Sequence, residues 1–535
     1  METKVFVRTA SGLVKKVSAW DSMFYGLYAI NLGVGAMLTY AWAPAAIPGS
    51  DMTLGILVTG LLSLFLMMVF TMLMASMPRS GGEYVAISRI LNPVLGFAAN
   101  WNMAIWSLFW IAMDTWIAVQ WVIAPALTGL GISLNVPALV NMGIAIYDPV
   151  NTFILGSIII FVIWLIMLAP LDRYMRLTEV MFVFAMISTA LIIVLFALTS
   201  KEQFIGHLNN FMYPTYTSST NAYADIITES INQGFDPYMP VSWLSTLAIV
   251  GPAFPPLGYA MWNVYHAGEL KEGGRLKTQL IAIIGALIVG VALMAVQGWL
   301  FVVRGGADFV GAVGYLYYIL GQQPMPIAPY MGFFPLIMTT NMLVIILIAI
   351  GFICWGLLWP FICVLPPTRC LFAWSFDGLM PSKVSEVHPK LKTPVIANTI
   401  CAFAGWIFFA LYTFTTFGTF LWASIYGSQF TFILVALTGI VFPFRRRYIY
   451  EASPAKKSIA GIPIISICGV IGIAFSLLVS YYFLVNPLLF ANSPEAITFT
   501  TCVAISGFII FAIAYYIRKR QKIDLSLVYK EIPPA

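Results

Sequence analysis

Asp114 is the only acidic residue that falls well inside an apolar run of membrane-spanning length. A carboxylate at that depth is expensive in hydrocarbon and marks a functional site with a partner. We expect it to meet a substrate ammonium or a proton in transit; the structural alternative is a hydrogen bond to Thr115 or to a neighbouring helix, or hydration near the membrane surface. Two other segments offer backbone chemistry. Asn31-Leu32-Gly33-Val34-Gly35-Ala36 sets two glycines a residue apart in the middle of the first apolar run, and Gly251-Pro252-Ala253-Phe254-Pro255-Pro256-Leu257-Gly258 sets two consecutive prolines in the sixth. Proline lacks an N–H and clashes with the preceding turn. An unpaired backbone group is costly in hydrocarbon, so such breaks persist where they line a cavity or bind something. The half-helix restarting after Gly35 would aim free N–H groups and a positive dipole end at an anion, which suits a carboxylate. Carbonyls freed around Gly251, Pro252, Ala253 and Phe254 would suit an ammonium group or another cation.

The residues that enzymatic chemistry needs are not gathered at membrane depth. No nucleophile, base and orienting group share a run, so we expect no enzyme, no cofactor and no metal. His207, His266 and His388 lie in or beside connections without metal-ligand spacing, and we expect them to be solvated. The six cysteines form neither a CxxC pattern nor a pair in an external connection. Trp101, Trp106, Trp110, Trp116 and Trp121 follow one another along the third run, where they serve packing and interfacial anchoring; Trp110 is the one we expect to face a pocket.

These groups must be held by membrane-spanning helices. Of 535 residues, 61% are hydrophobic and 9% charged, too little polar surface to solvate a globule of that length. Apolar runs of about twenty residues fall near 22–47, 53–77, 94–125, 152–170, 177–198, 243–265, 277–303, 333–365, 394–413, 418–443, 461–486 and 497–517. The basic residues test this assignment, because Lys and Arg near spans are retained in the cytoplasm. With these twelve spans, every one of the 27 Lys and Arg residues except Lys201 and Arg304 falls on the same side as Lys4, Arg8, Lys15 and Lys16 of the N-terminal segment. Both termini are therefore expected in the cytoplasm. The connections 200–242 and 304–332, rich in Asn, Thr, Tyr, Pro and Gly, are expected outside, as partly ordered caps over a vestibule. The net charge of +6 reflects this retention and gives no reason to expect nucleic acid.

The two broken runs stand first and sixth. Five spans that start inside are followed by five that start outside, the opposed orientation of an inverted repeat. Interrupted segments at matching positions of two such halves point to a transporter binding site.

Pro78-Arg79-Ser80-Gly81-Gly82-Glu83-Tyr84, between the second and third spans, resembles the P-x-x-G-G-x-Y signature of the amino acid-polyamine-organocation superfamily of permeases. Arg369 followed by Phe376-Asp377-Gly378-Leu379-Met380-Pro381 and Thr393-Pro394 is similar to that family's segment between spans eight and nine, and Gly268-Glu269-Leu270-Lys271 to the end of its sixth span. The resemblance runs in order from about residue 18 to residue 400; the last spans match by hydropathy alone. It implies an all-α membrane fold of about 12 transmembrane helices, with two inverted five-helix repeats (spans 1 and 6 broken) plus two extra helices. By the same resemblance Gly33, Val34, Gly35 and Ala36 hold a substrate carboxylate, and an aromatic near Phe254 closes over the substrate from outside. Gly81, Gly82, Asp377 and Gly378 are implied turn and hinge residues of the cytoplasmic gate. Pro255-Pro256 and Ala260 depart from the family pattern, and residues 180–198 lack the lysine with which some members replace sodium.

The expected organisation is a cytoplasmic segment 1–20, a transport core 21–445, spans 11 and 12 within 446–517, and a cytoplasmic tail 518–535. The expected function is secondary active transport of amino acids across the cell membrane by alternating access, with a proton or sodium as the coupling ion and the lipid bilayer as solvent. The alternatives are a polyamine or other organic-cation exchanger, or a membrane sensor.

Overall fold

The computed structural model describes residues 4, 5, 12–525 and 528–532. Arg8 of the N-terminal segment and residues 533–535 of the tail lie outside the described residues. Among those described, 11 helices are long and apolar enough to cross a membrane. One further crossing is built from two half-helices, Ala19–Ile30 and Val34–Ala46, each too short to span alone. In chain order this crossing is span 1, followed by span 2 (Met52–Ser76), span 3 (Pro93–Ser133), span 4 (Pro149–Met167), span 5 (Leu171–Leu198), span 6 (Trp243–Glu269), span 7 (Leu276–Gly305), span 8 (Met342–Phe376), span 9 (Val395–Phe414), span 10 (Gly418–Arg445), span 11 (Ile464–Val485) and span 12 (Pro494–Arg520).

Their starts follow from local chemistry. Ser18 and Asp21 form a reciprocal capping box at span 1. Asn92, Asp148 and Ser493 each cap a helix whose first residue is proline, where the missing N–H costs nothing. The outward faces are apolar: Ile154, Ile158, Phe161, Val162 and Leu165 recur at helical spacing along span 4 and are exposed, a stripe suited to lipid.

Several span limits differ from the sequence expectation, most of all in spans 3 and 8. Span 8 starts at Met342, where Asn341 caps it, and continues through Pro366 and Pro367 to Phe376; residues 335–338 form a separate turn. The prolines do not end this helix because the orphaned acceptor is served from elsewhere. Pro366 cannot donate to the Ile362 carbonyl, and the Tyr25 hydroxyl does so instead at 2.9 Å. Span 3 runs past residue 125 to Ser133 through a π-helical turn at Ala118–Ile123. Pro125 stands two residues after that turn and lacks the N–H that a regular ladder would use.

Span 8 packs along spans 3 and 5; span 10 packs along spans 3 and 11, and span 2 along spans 7 and 11. The connections 200–242 and 304–332 are helical caps, Lys201–Met212, Ala222–Asn232 and Ala307–Gly314. Tyr223 stacks on Phe309 at 4.8 Å and donates to the Gly305 carbonyl, fixing one cap to the other. At the opposite end, Lys4–Val5 pair in parallel with Ile523–Asp524, so the two ends of the chain meet on one side.

Candidate functional site

Span 1 breaks where Asn31 takes a left-handed conformation at φ 54°. Asparagine tolerates it because its side chain bonds locally: Oδ1 accepts from the Val34 amide at 2.8 Å, and Nδ2 donates to the Trp355 carbonyl of span 8 at 2.8 Å. Ala36 donates to the Asn31 carbonyl. Of the four residues implied for the carboxylate, Val34 and Ala36 therefore have their amides occupied. Among the described residues, the amides of Leu32, Gly33 and Gly35 have no acceptor. The glycines are required by contact: a Cβ at Gly33 would lie 2.5 Å from the Trp355 ring, and one at Gly35 would run into the Ile30 carbonyl, with Pro256 and Trp359 3.2 Å away.

The proline segment of span 6 is not unwound where the sequence suggested. Val250–Leu257 is helical, and the irregular part follows it, a 3₁₀ stretch over Ala260–Glu269. Ala253 donates to Ile249, and Gly258 donates to Phe254. The prolines free carbonyls without a break, since Pro255 and Pro256 cannot donate to Gly251 and Pro252. Thr39 of span 1 approaches the Pro252 carbonyl at 3.4 Å. Phe254 does not close over a cavity: it packs between Phe432 of span 10 and Phe475 of span 11, at 5.6 and 5.5 Å. The reason is helical phase. Pro252, Pro255, Pro256 and Tyr259 share one face at spacings of three, four and seven, and Phe254 is on another.

That face of span 6 lines a cavity of about 100 Å³ against Gly35 and Leu38 of span 1, Trp110 and Asp114 of span 3, Trp359 and Cys363 of span 8, and Ser424 of span 10. The contributing residues of spans 1, 3 and 8 stand near the middle of each span, so the cavity lies at mid-membrane depth. Gly33, Gly251 and Ala253 are beside it rather than in its wall. Trp110 is held at the wall by donating to Ser424 at 2.8 Å and packs on Tyr259 and Trp262 at 5.1 and 5.6 Å. Asp114 is 6% exposed and accepts from the Cys363 thiol at 3.0 Å. The Thr115 hydroxyl is spent on the Ile111 carbonyl, so of the structural alternatives for Asp114 the structure holds the bond to a neighbouring helix, through Cys363 of span 8.

Towards the helical caps, Trp42 and Trp422 divide this cavity from an outer recess of about 390 Å³. Phe490 stacks on Trp42 at 5.8 Å and meets Trp422 at 5.9 Å. The opposite end is closed by charge. Arg369 holds Glu269 in a two-point bond of 2.7 and 3.1 Å, and Arg89 holds Asp377 at 2.6 Å, all four side chains being buried. Gly81, at φ 108°, donates to the Tyr265 carbonyl, and Gly82, at φ 66°, lies against the Tyr265 ring. Gly378, at φ 79°, turns the chain after Asp377. Arg89, on the helix that follows the first signature segment, thus ties that region to Asp377 of the second. Glu83 lies beside them and accepts from Asn100 at 2.9 Å; burial pushes its carboxyl up to about 7. His266 is buried and bonded to the Ser22 hydroxyl at 3.0 Å, contrary to the expected solvation, because the 3₁₀ turn carries it into the span 1 interface. His207 and His388 are exposed. The tail covers this end: Arg89 donates to the Val528 and Glu531 carbonyls and faces the Tyr529 ring at 5.2 Å.

Sequence reasoning missed Tyr259, Trp262, Trp359, Cys363 and the Trp42–Trp422 layer. Helical spacing reaches two of these, Tyr259 three residues after Pro256 and Trp42 seven after Gly35; Trp359, Cys363 and Trp422 stand on spans from which the sequence singled out no cavity residue.

Two comparisons bear on this geometry. A family profile described as Amino acid permease matches residues 18–513. The branched-chain amino acid permease BcaP of Bacillus subtilis (strain 168) is 24% identical over 400 residues, covering 72% of each chain.

Proposed function

The chain belongs to the amino acid permease family, and from that premise we propose that it is a secondary active transporter, not an enzyme, carrying a small apolar amino acid across the cell membrane by alternating access. The observation that carries this reading is the cavity at mid-membrane, walled by the broken span 1 and the proline face of span 6. Unpaired amides at Leu32, Gly33 and Gly35, at the start of a half-helix, suit a substrate carboxylate. The rings of Trp110, Tyr259 and Trp359 with Met113 suit an aliphatic side chain, and the cavity is below the size at which drug-like ligand sites begin, about 300 Å³. The similarity to a branched-chain amino acid permease supports the same substrate class. Ion pairs at one end and rings at the other give the cavity two separate closures, as alternating access requires. The ion-paired end is the cytoplasmic one on the distribution of basic residues, and the meeting of residues 4–5 with 523–524 supports an even number of spans with both termini there.

Purified protein in liposomes should take up labelled leucine with saturation, and unlabelled leucine should compete. Flux that grows linearly with concentration and voltage would make it a channel; absence of flux with retained binding would make it a sensor. The organic-amine alternative has one observation behind it, the Asp114 carboxylate in the cavity wall.

A further inference from the structure

We propose that Asp114 makes the cavity an ammonium-binding site, so that the selected solute is a compact apolar body bearing a positively charged nitrogen, with or without a carboxylate. This deepens the transport reading and rests on it. Asp114 is buried, lines the cavity and has, among the described residues, one hydrogen-bond partner, the Cys363 thiol. A thiol is a weak donor and brings no charge. The cavity wall contains no Lys, Arg or His. The titratable groups facing Asp114 from neighbouring elements are Cys363 of span 8, Tyr259 of span 6 and Tyr412 of span 9, none of which is cationic. The buried guanidinium groups of Arg89 and Arg369 are committed to Asp377 and Glu269 at the far closure.

A desolvated carboxylate without a counter-charge is unfavourable, and an ammonium group supplies both the charge and strong donors. The surroundings favour an organic cation over a bare ion. Trp110, Tyr259 and Trp262 stand within 5.1–5.6 Å of one another beside the carboxylate, and such rings attract ammonium groups while excluding water. Inorganic cations need several oxygen ligands, whereas the wall's side-chain oxygens are one carboxylate and the hydroxyls of Tyr259 and Ser424, already engaged with Ser428 and Trp110. A zwitterion is served at both ends, its carboxylate at the span 1 amides and its nitrogen at Asp114. An amine is served at one end, and an acid of the same skeleton is repelled.

Leucine, 3-methylbutylamine and 4-methylpentanoate share a hydrocarbon tail and differ in these charges. With the purified full chain, leucine and the amine should raise the unfolding temperature and compete for labelled leucine uptake in liposomes, and the acid should do neither. Asp114→Asn should weaken the amine at least about tenfold, and Asp114→Glu should keep the order of preference. The proposal is overturned if the acid binds as well as the amine, or if a folded Asp114→Asn protein keeps wild-type affinity for the amine. Because the wild-type ranking decides by itself, a variant that fails to fold does not rescue the idea. Leucine uptake without any effect of the amine would remove the subsite and leave the transport reading; amine binding that depends on Asp114 without uptake of any of the three would do the reverse.

Discussion

Glu269→Gln removes one half of the two-point bond that closes the inner end, while keeping the side chain's shape. Arg369 would be left buried with a neutral partner, and stranding one member of a buried pair costs about 3–5 kcal/mol. Opening this end separates spans 6 and 8 and hydrates the guanidinium, so the penalty falls on the closed form. A differential of about 3 kcal/mol changes a conformational ratio about 150-fold, enough to raise an open form from about 1% to a majority. Cys363 reports the change, because it lines the cavity and is buried in the closed form. In inside-out vesicles, a membrane-impermeant maleimide should modify Cys363 of the variant far faster than that of the wild type, read by peptide mass. Glu269→Gln combined with Arg369→Met removes both charges and should restore protection, since a buried pair replaced by apolar groups is close to neutral. If Cys363 in a folded Glu269→Gln protein is labelled at the wild-type rate, the pair is not the lock and the reasoning fails.

Topology is open to the same chemistry: cysteines placed in residues 200–242 should react from outside intact cells and those in 445–457 should not, and the reverse pattern would invert the fold in the membrane. Gly35→Leu should abolish leucine binding, because the side chain would meet Pro256 and Trp359; normal uptake by this variant would move the carboxylate site elsewhere. Phe254→Ala should destabilise the fold by about 3–5 kcal/mol through lost packing on Phe432 and Phe475, read as a lower unfolding temperature, with little change in substrate affinity at permissive temperature. Glu83 holds its proton more tightly folded than unfolded, so its contribution to stability is complete below about 4.5 and is lost as pH rises through about 7. Thermal unfolding across that window should lose part of its slope in Glu83→Gln, and an unchanged slope would place the titration on another group.

What was legible in the sequence was what hydrocarbon forbids. Asp114 stood out because carboxylates are rare at that depth, and Gly33 and Gly35 because two glycines interrupt an apolar run. The aromatic walls were not legible. Tyr259, Trp359 and Trp422 lie in apolar runs with many other rings, and only the helical phase separates a ring facing a cavity from one facing a neighbour. Phe254 shows the cost of assuming a broken segment: with the helix regular through Leu257, its direction follows from its position two residues after Pro252. The long span 8 was misplaced for a related reason, since Pro366 reads as a stop until Tyr25, more than three hundred residues earlier, is seen to satisfy the Ile362 carbonyl.

The contacts between Arg89 and residues 528–531 also bear on how the protein is made. Arg89 is made early in synthesis, and the Val528 carbonyl that helps cover it emerges 439 residues later. Until then its guanidinium can pair with Asp377 but lacks the Tyr529 ring and the strand at Ile523–Asp524 that ties the tail to Lys4–Val5. The inner closure is thus the last part of the molecule to be finished, and a chain halted before residue 523 would insert all twelve spans with that seal incomplete. Cells that discard such fragments would be reading the seal, and a bulky fusion placed directly after the tail would imitate the fragment.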